Sequence, residues 1–193
     1  MKIVICVEGD SDIKFIKDFV DYNKFEISSN DISYIKSGGK DKLSLSKQNL
    51  IQPDQDGINI IIQDLDSDSE TERNEKVSKI LEGFRFKLFF IKGGSLNCLE
   101  ELLELSSVND LSVFNDCWNS FNDCLSPIEF VKNKLRLKDK LHLYKLMCLN
   151  SNEDKERMKC IGDKEIDYIN KRFFNLGHVC FVDLKIFFES ILN

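Results

Sequence analysis

The chain has 193 residues, 42 % hydrophobic and 31 % charged, with nine Gly and two Pro. That is the size and make-up of one globular domain, or one with a small appendage, and it excludes collagen-like and linker-rich chains. The net charge of −6 argues against non-specific binding of polyanions, and no apolar run nears the ~20 residues that cross a bilayer, so no membrane partner is expected.

Residues 2–7 (Lys-Ile-Val-Ile-Cys-Val) predict a short buried strand. The run is too short for a signal peptide and meets Glu8, Gly9 and Asp10 at once, so a cytoplasmic protein is expected. Asp10 or Ser11 is placed to cap a helix over about 12–22, where Ile13, Phe15, Ile16, Phe19 and Val20 recur at helical spacing. Residues 31–36 alternate as a second strand, Ser37 to Lys40 form a turn, and 41–50 predict a short helix. Residues 58–63 (Ile-Asn-Ile-Ile-Ile-Gln) give the second strong buried-strand signal and run into Asp64-Leu65-Asp66-Ser67-Asp68. A charged helix over 70–82 buries Val77, Ile80 and Leu81. Lys87 to Ile91 is a further strand, Gly93-Gly94 ends it, and 96–105 is a Leu-rich helix carrying Glu100, Glu101 and Glu104.

Strand and helix alternate to this point, which predicts an α/β fold with a parallel sheet flanked by helices. From about 108 the pattern is helical, over 109–124, 127–135, 138–149, 163–171 and 183–192. The expected organisation is a core at 1–106 and a mostly helical extension at 107–193 packed on it. The seven Cys are odd in number and unpaired in spacing, so they predict free thiols rather than a disulfide framework or a zinc site.

Charge is uneven. Residues 1–130 hold 14 Lys/Arg against 24 Asp/Glu, and residues 131–172 hold 12 against 7. An acidic part joined to a basic segment suits a metal site beside a phosphate-binding surface. The two acidic clusters follow the two most strand-like runs. Parallel strands end on one edge of the sheet, where open α/β sheets bind ligands. Glu8 and Asp12 can therefore face Asp64, Asp66 and Asp68. Five carboxylates in one crevice need cations to neutralise them, and hard oxygen donors select Mg²⁺, Mn²⁺ or Ca²⁺ over zinc.

Competing explanations of Asp64-x-Asp66-x-Asp68 fit less well. An EF-hand loop would need Gly where Ser69 stands and a helix where the strand runs. Haloacid-dehalogenase phosphatases place their Asp-x-Asp near the start of the domain, whereas here a strand–acid–helix unit comes first. Receiver domains begin on an acidic pair rather than Val7-Glu8-Gly9.

Glu8-Gly9-Asp10-Ser11-Asp12 resembles the Glu-Gly-x-x-Asp signature of the Toprim (topoisomerase–primase) domain. Asp64-Leu65-Asp66-Ser67-Asp68 resembles its Asp-x-Asp-x-Asp signature, in the right order and about 50 residues later, and the likeness covers roughly 1–106. The remainder resembles small stand-alone Toprim proteins related to the nuclease domain of the overcoming-lysogenization-defect family. Their third, acidic motif corresponds to Glu100 and Glu101, and their Lys falls in the helix at 138–145.

The resemblance implies a compact Rossmann-type sheet and Mg²⁺- or Mn²⁺-dependent hydrolysis of phosphodiester bonds in DNA or RNA. It makes Glu8 the general acid/base and also a metal residue, gives metal to Asp64 and Asp66, and has Asp12, Asp68 and Glu100 or Glu101 complete a second site. Lys138, Lys140 or Lys145 would neutralise phosphate charge. Positions 138 and 145 are two helical turns apart and share a face. Lys140 lies about 160° away, which predicts Lys138 and Lys145 as the functional pair and Lys140 as solvated. Gly9, Gly38, Gly39 and Lys40 are candidate phosphate-binding positions.

Two departures from the wider family narrow the expectation. Tyr22, Tyr34, Tyr144 and Tyr168 sit in no recognisable topoisomerase setting, and the length leaves no room for primase modules. No GxxxxGK[ST] occurs, so no ATPase module is expected. The alternatives to a nuclease are a non-catalytic metal- or phosphate-binding module of a larger nucleic-acid complex, and a small-molecule phosphatase.

Overall fold

The computed structural model describes residues 1–25, 31–66, 68–92, 97–108, 111–125, 140 and 174–192, with the backbone alone at 40, 122, 124 and 125. Four strands are formed, β1 Ile3–Val7, β2 Ile32–Lys36, β3 Ile58–Asp64 and β4 Phe86–Ile91. They make one sheet in the order β2-β1-β3-β4, and each neighbouring pair is parallel. The helices among the described residues are α1 Asp10–Asn23, α2 Glu70–Ile80, α3 Leu99–Leu105, α4 Ser112–Leu125 and α5 Val182–Leu192. The predicted short helix after the Gly38-Gly39 turn is instead a run of 3₁₀ turns, Lys40–Asn49.

The inner strands β1 and β3 are apolar runs because helices cover the sheet on both sides. Ile3, Ile5, Val7, Ile60 and Ile62 point to one face, where they meet α1, α3 and α5. Val4, Cys6 and Ile61 point to the other, against Leu43, Val77 and Leu81. So α1, which follows β1, and α2, which follows β3, lie on opposite faces. The C-terminal residues share the α1 face. The Phe19 ring stands 5.9 Å from Phe181 and 6.2 Å from Phe188. Emptying one such ring position costs about 3–5 kcal/mol.

The far end of the sheet is closed by Asn59, a fully buried polar residue whose side chain meets both the N–H and the C=O of Ile51, at 2.9 and 3.0 Å. Gly57 beside it has φ 143°, and a Cβ there would stand 2.5 Å from the Lys2 carbonyl oxygen, so only glycine fits.

Two local expectations change. The cap of α1 is neither Asp10 nor Ser11 but Gly9, because the Asp12 carboxylate turns back to accept the Gly9 N–H at 2.8 Å. The Leu-rich helix begins at Leu99 rather than 96, because Asn97 is left-handed (φ 51°) and Cys98 is extended. Cys6, Cys98, Cys117 and Cys180 are free thiols.

Candidate functional site

The strand order makes β1 and β3 neighbours whose following helices leave to opposite faces. This is the switch point of the sheet, and the crevice beyond it is the ordinary ligand position in open α/β folds. Glu8 is the first residue past β1 and Asp64 is the last of β3. The two motifs therefore meet at the switch point of the sheet.

The electrostatics show which carboxylates are brought together. Asp64 is pushed up to about 8 by burial, then by the charges of Asp12, Glu100 and Glu8, against a hydrogen bond from the Leu99 N–H that lowers it. Glu8 is raised to about 7 by burial, then by Asp12 and Asp66, while the Asp64 N–H and Arg73 pull it down. Asp12 is raised to about 6 by burial and the charges of Glu100 and Asp10, against lowering hydrogen bonds from Gly9 and Ser11. Glu8, Asp12, Asp64, Asp66 and Glu100 thus form one interacting group. Glu8 Oε1 is buried and has no hydrogen-bond partner among the described residues. Asp68 sits half-buried in the turn that follows, its N–H donating to the Leu65 carbonyl at 3.0 Å.

Sequence alone left Glu100 and Glu101 open as the third acidic contribution. The structure separates them. Glu101 accepts the Asn97 N–H at 2.9 Å and so holds the start of α3. Glu100 is the one whose charge reaches Asp12 and Asp64.

Asn97 is a site residue that the sequence reading missed. Its carbonyl accepts the N–H groups of Leu65 and Asp66 at 3.1 and 3.2 Å, and its side-chain amide donates to the Asp66 carbonyl at 3.2 Å. Asp64 Oδ1 accepts the Leu99 N–H at 3.1 Å. These bonds clamp the acidic turn to the N-terminus of α3. Asp66 is itself left-handed (φ 50°), a conformation that Asp and Asn tolerate better than most residues.

Arg73 is the second missed residue. It is 2 % exposed, its Nε donates to Gln63 at 3.2 Å, and its guanidinium pairs with Asp41 at 3.2 Å. Its positive charge acts to lower the Glu8 carboxyl, the smallest of the influences on that group. Lys76 also binds Asp41, whose carboxyl is held below its ordinary value by both cations.

The glycine turn lies directly beside the site, for the Gly38 N–H donates to the Glu8 carbonyl at 3.0 Å. Gly38 (φ 80°) and Gly39 (φ 124°) both require glycine geometry. Both the Gly9 and the Gly38 amides are thus engaged inside the fold. The backbone of Lys40 opens the 3₁₀ run.

The expectation that Lys140 is solvated is wrong. It is 8 % exposed and its ammonium binds Glu104 of α3 at 2.6 Å. It anchors its segment to α3 and is no surface charge. Lys138 and Lys145 lie outside the described residues.

Among the described residues, no three His, Cys, Asp or Glu side chains stand as placed in a set that holds a metal ion. The donors nonetheless fit one. Three half-buried carboxyls are raised by burial first and by neighbouring carboxylate charges second, and a buried carboxylate oxygen lacks any partner among the described residues. Side-chain rotation toward a shared hard cation would relieve both conditions.

Fold and site together define an open parallel α/β sheet with a carboxylate group at its switch point. No family model, curated protein or solved structure matches the chain.

Proposed function

We propose that the protein is a Mg²⁺- or Mn²⁺-dependent phosphodiester hydrolase with a Toprim-like acidic site. The observation that carries this is the meeting of Glu8, Asp12, Asp64, Asp66 and Glu100 at the switch point, with Glu8 Oε1 left without a partner among the described residues. Asp64, Asp66, Asp12 and Glu100 would hold the ion, with Glu8 beside it. When bound, a divalent ion supplies charge neutralisation to a phosphate and acidity to water.

The chain's own groups do the rest. A carboxyl at about 7 exchanges its proton near neutral pH, which suits Glu8 for general acid/base work. Arg73 keeps that value from rising further, since its charge favours the ionised form. The bonds from Asn97 and Leu99 hold the Asp66 backbone and one Asp64 oxygen in place, which leaves the side-chain torsions of the acidic group as the part that turns toward a charged ligand.

The test is purified protein with Mg²⁺ or Mn²⁺ against single-stranded DNA, duplex DNA, RNA and a generic phosphomonoester. Asp64→Ala and Asp66→Ala are assayed beside it, with Mn²⁺ affinity by calorimetry. Metal-dependent cleavage of a polynucleotide that both variants lose supports the proposal. Tight metal binding without turnover identifies a binding module, turnover of the phosphomonoester alone identifies a phosphatase, and unchanged Mn²⁺ affinity in the double variant removes the metal site.

A further inference from the structure

The two outer strands each end in a lysine. Lys36 closes β2, opposite Val7 of β1, and Lys92 follows Ile91 of β4, which lies opposite Asp64 of β3. Each lysine is about half exposed and reaches to the first residue of the helix that follows the neighbouring inner strand. Lys36 binds Asp10 of α1 at 2.7 Å, and Lys92 binds Glu70 of α2 at 2.5 Å. Since α1 and α2 cover opposite faces, the two lysines stand diagonally across the switch point with Glu8 and Asp64 between them. Lys92 and Glu70 also rim a groove of about 320 Å³ along β4, whose walls include Asn74, Leu88, Leu102 and Asp183.

Three inter-strand steps of about 4.8 Å separate β2 from β4, and the register sets Lys92 three residues, roughly 10 Å, further along the sheet than Lys36, so their backbones are about 17 Å apart. No single phosphate reaches both. A repeating polyanion does, because one strand of a duplex presents a phosphate about every 3.4 Å of axis. The present partners do not stand in the way, for exposed ion pairs are worth only about 0–1 kcal/mol and exchange one oxygen anion for another at little cost. Residues 1–130 hold 14 Lys/Arg against 24 Asp/Glu, so cations placed on both sides of the carboxylates are the handles this part of the chain offers such a ligand.

We propose that the substrate is a polynucleotide strand lying diagonally over the sheet edge, held by Lys36 on one side and Lys92 on the other, with the reacting phosphate above Glu8 and Asp64. This rests on the hydrolase reading and makes it more specific. The groove beside Lys92 lies at the small end of the range for ligand sites and receives a nucleotide adjoining the reacting phosphate.

The experiment compares wild type with the Lys36→Ala/Lys92→Ala double variant, on DNA and RNA oligonucleotides and on bis(p-nitrophenyl) phosphate, over a range of salt. The control is Lys185→Ala, which removes an exposed lysine from an ordinary pair within α5. Two lost phosphate contacts lower the salt slope for single-stranded substrate by about 1.4, which at about 0.15 M salt raises KM roughly tenfold. Turnover of the small diester, which spans neither lysine, stays unchanged, as does the control on every substrate. The DNA and RNA arms show which polymer is preferred. Unchanged oligonucleotide KM and slope in the double variant, with an active wild type, overturns the inference and leaves the hydrolase reading standing. Equal losses on oligonucleotide and small diester also overturn it. A wild type that turns over the small diester but neither cleaves nor binds an oligonucleotide overturns the inference alone, and one that turns over neither removes both.

Discussion

Replacing Asp64 by Asn should make the metal-free protein more stable, and increasingly so as pH rises. Asn keeps an oxygen for the Leu99 N–H, so the clamp on α3 survives while the charge goes. The Asp64 carboxyl titrates at about 8 in the fold against an ordinary 3.8. The folded state therefore keeps a proton that the unfolded chain has released, and stability falls as pH climbs from about 4 to about 8, then levels. At 1.36 kcal/mol per pH unit, the interval from about pH 4 to about pH 8 bounds the loss at roughly 5 kcal/mol. Asp64 is only partly buried and shares the effect with Glu8, Asp12 and Glu100, so screening and coupling bring its own share to ~1–3 kcal/mol. For a chain of this length that is a rise in Tm of roughly 2–10 °C at pH 8, shrinking toward zero near pH 4. Thermal unfolding in chelator across that range measures it. Adding Mn²⁺ should then favour wild type, since an ion that binds only the folded state adds stability in proportion to its saturation. A variant less stable than wild type at pH 8, or a gap that does not change with pH, would refute the account of the acidic group as mutually repelling.

Other perturbations probe the remaining parts of the site. Glu8→Gln keeps size and hydrogen bonding but cannot carry a proton, so turnover should fall by about 10²-fold or more with the far-ultraviolet circular dichroism unchanged; full activity in the variant assigns the proton transfer elsewhere. Lys140→Met strands the partly buried Glu104 and should cost about 1–3 kcal/mol by denaturant unfolding, with the added Glu104→Gln change restoring part of it. Asn97→Ala loses both the bond to the Asp66 carbonyl and the tolerance of a left-handed backbone, about 1–2 kcal/mol, and should weaken Mn²⁺ binding. Asn97→Gly, which restores the backbone freedom alone, should recover part of the stability; equal losses in the two variants would place the whole effect in the side-chain bond.

The strands were legible because burial on both faces leaves a continuous apolar signature. Ile3–Val7 and Ile58–Asp64 fall within a residue of the expected runs, since nothing but an inner parallel strand places so many β-branched residues together. Helix starts were less legible. Gly9 caps α1 through a carboxylate three residues ahead, and α3 starts late because a single left-handed residue interrupts an otherwise helical run. Both depend on side-chain bonds that composition does not display. The Lys140 error has another origin. A helical wheel separates Lys138 and Lys145 from Lys140, but it does not say which face turns inward, and the partner that decides it, Glu104, lies on a distant helix.

Arg73 was hidden by its chemistry rather than by its position. It stands four residues before Val77 and eight before Leu81, on the stripe that the periodicity marks as buried, yet arginine is normally assigned to solvent. Its burial follows from what surrounds it. Gln63 stands in β3 one residue before Asp64, and its side chain turns to the α2 face, where it accepts from Arg73 Nε. Asp41 closes the other side and ties in the run that follows the glycine turn. A guanidinium is poorly hydrated and spreads its donors in a plane, so it tolerates burial where an ammonium would not. The carboxylates of the site push one another toward protonation, and the Arg73 charge offsets part of that repulsion at Glu8. The interior arginine and the acidic crevice are therefore two halves of one electrostatic arrangement, with Arg73 supporting from the α2 side what a bound cation would complete from the open edge.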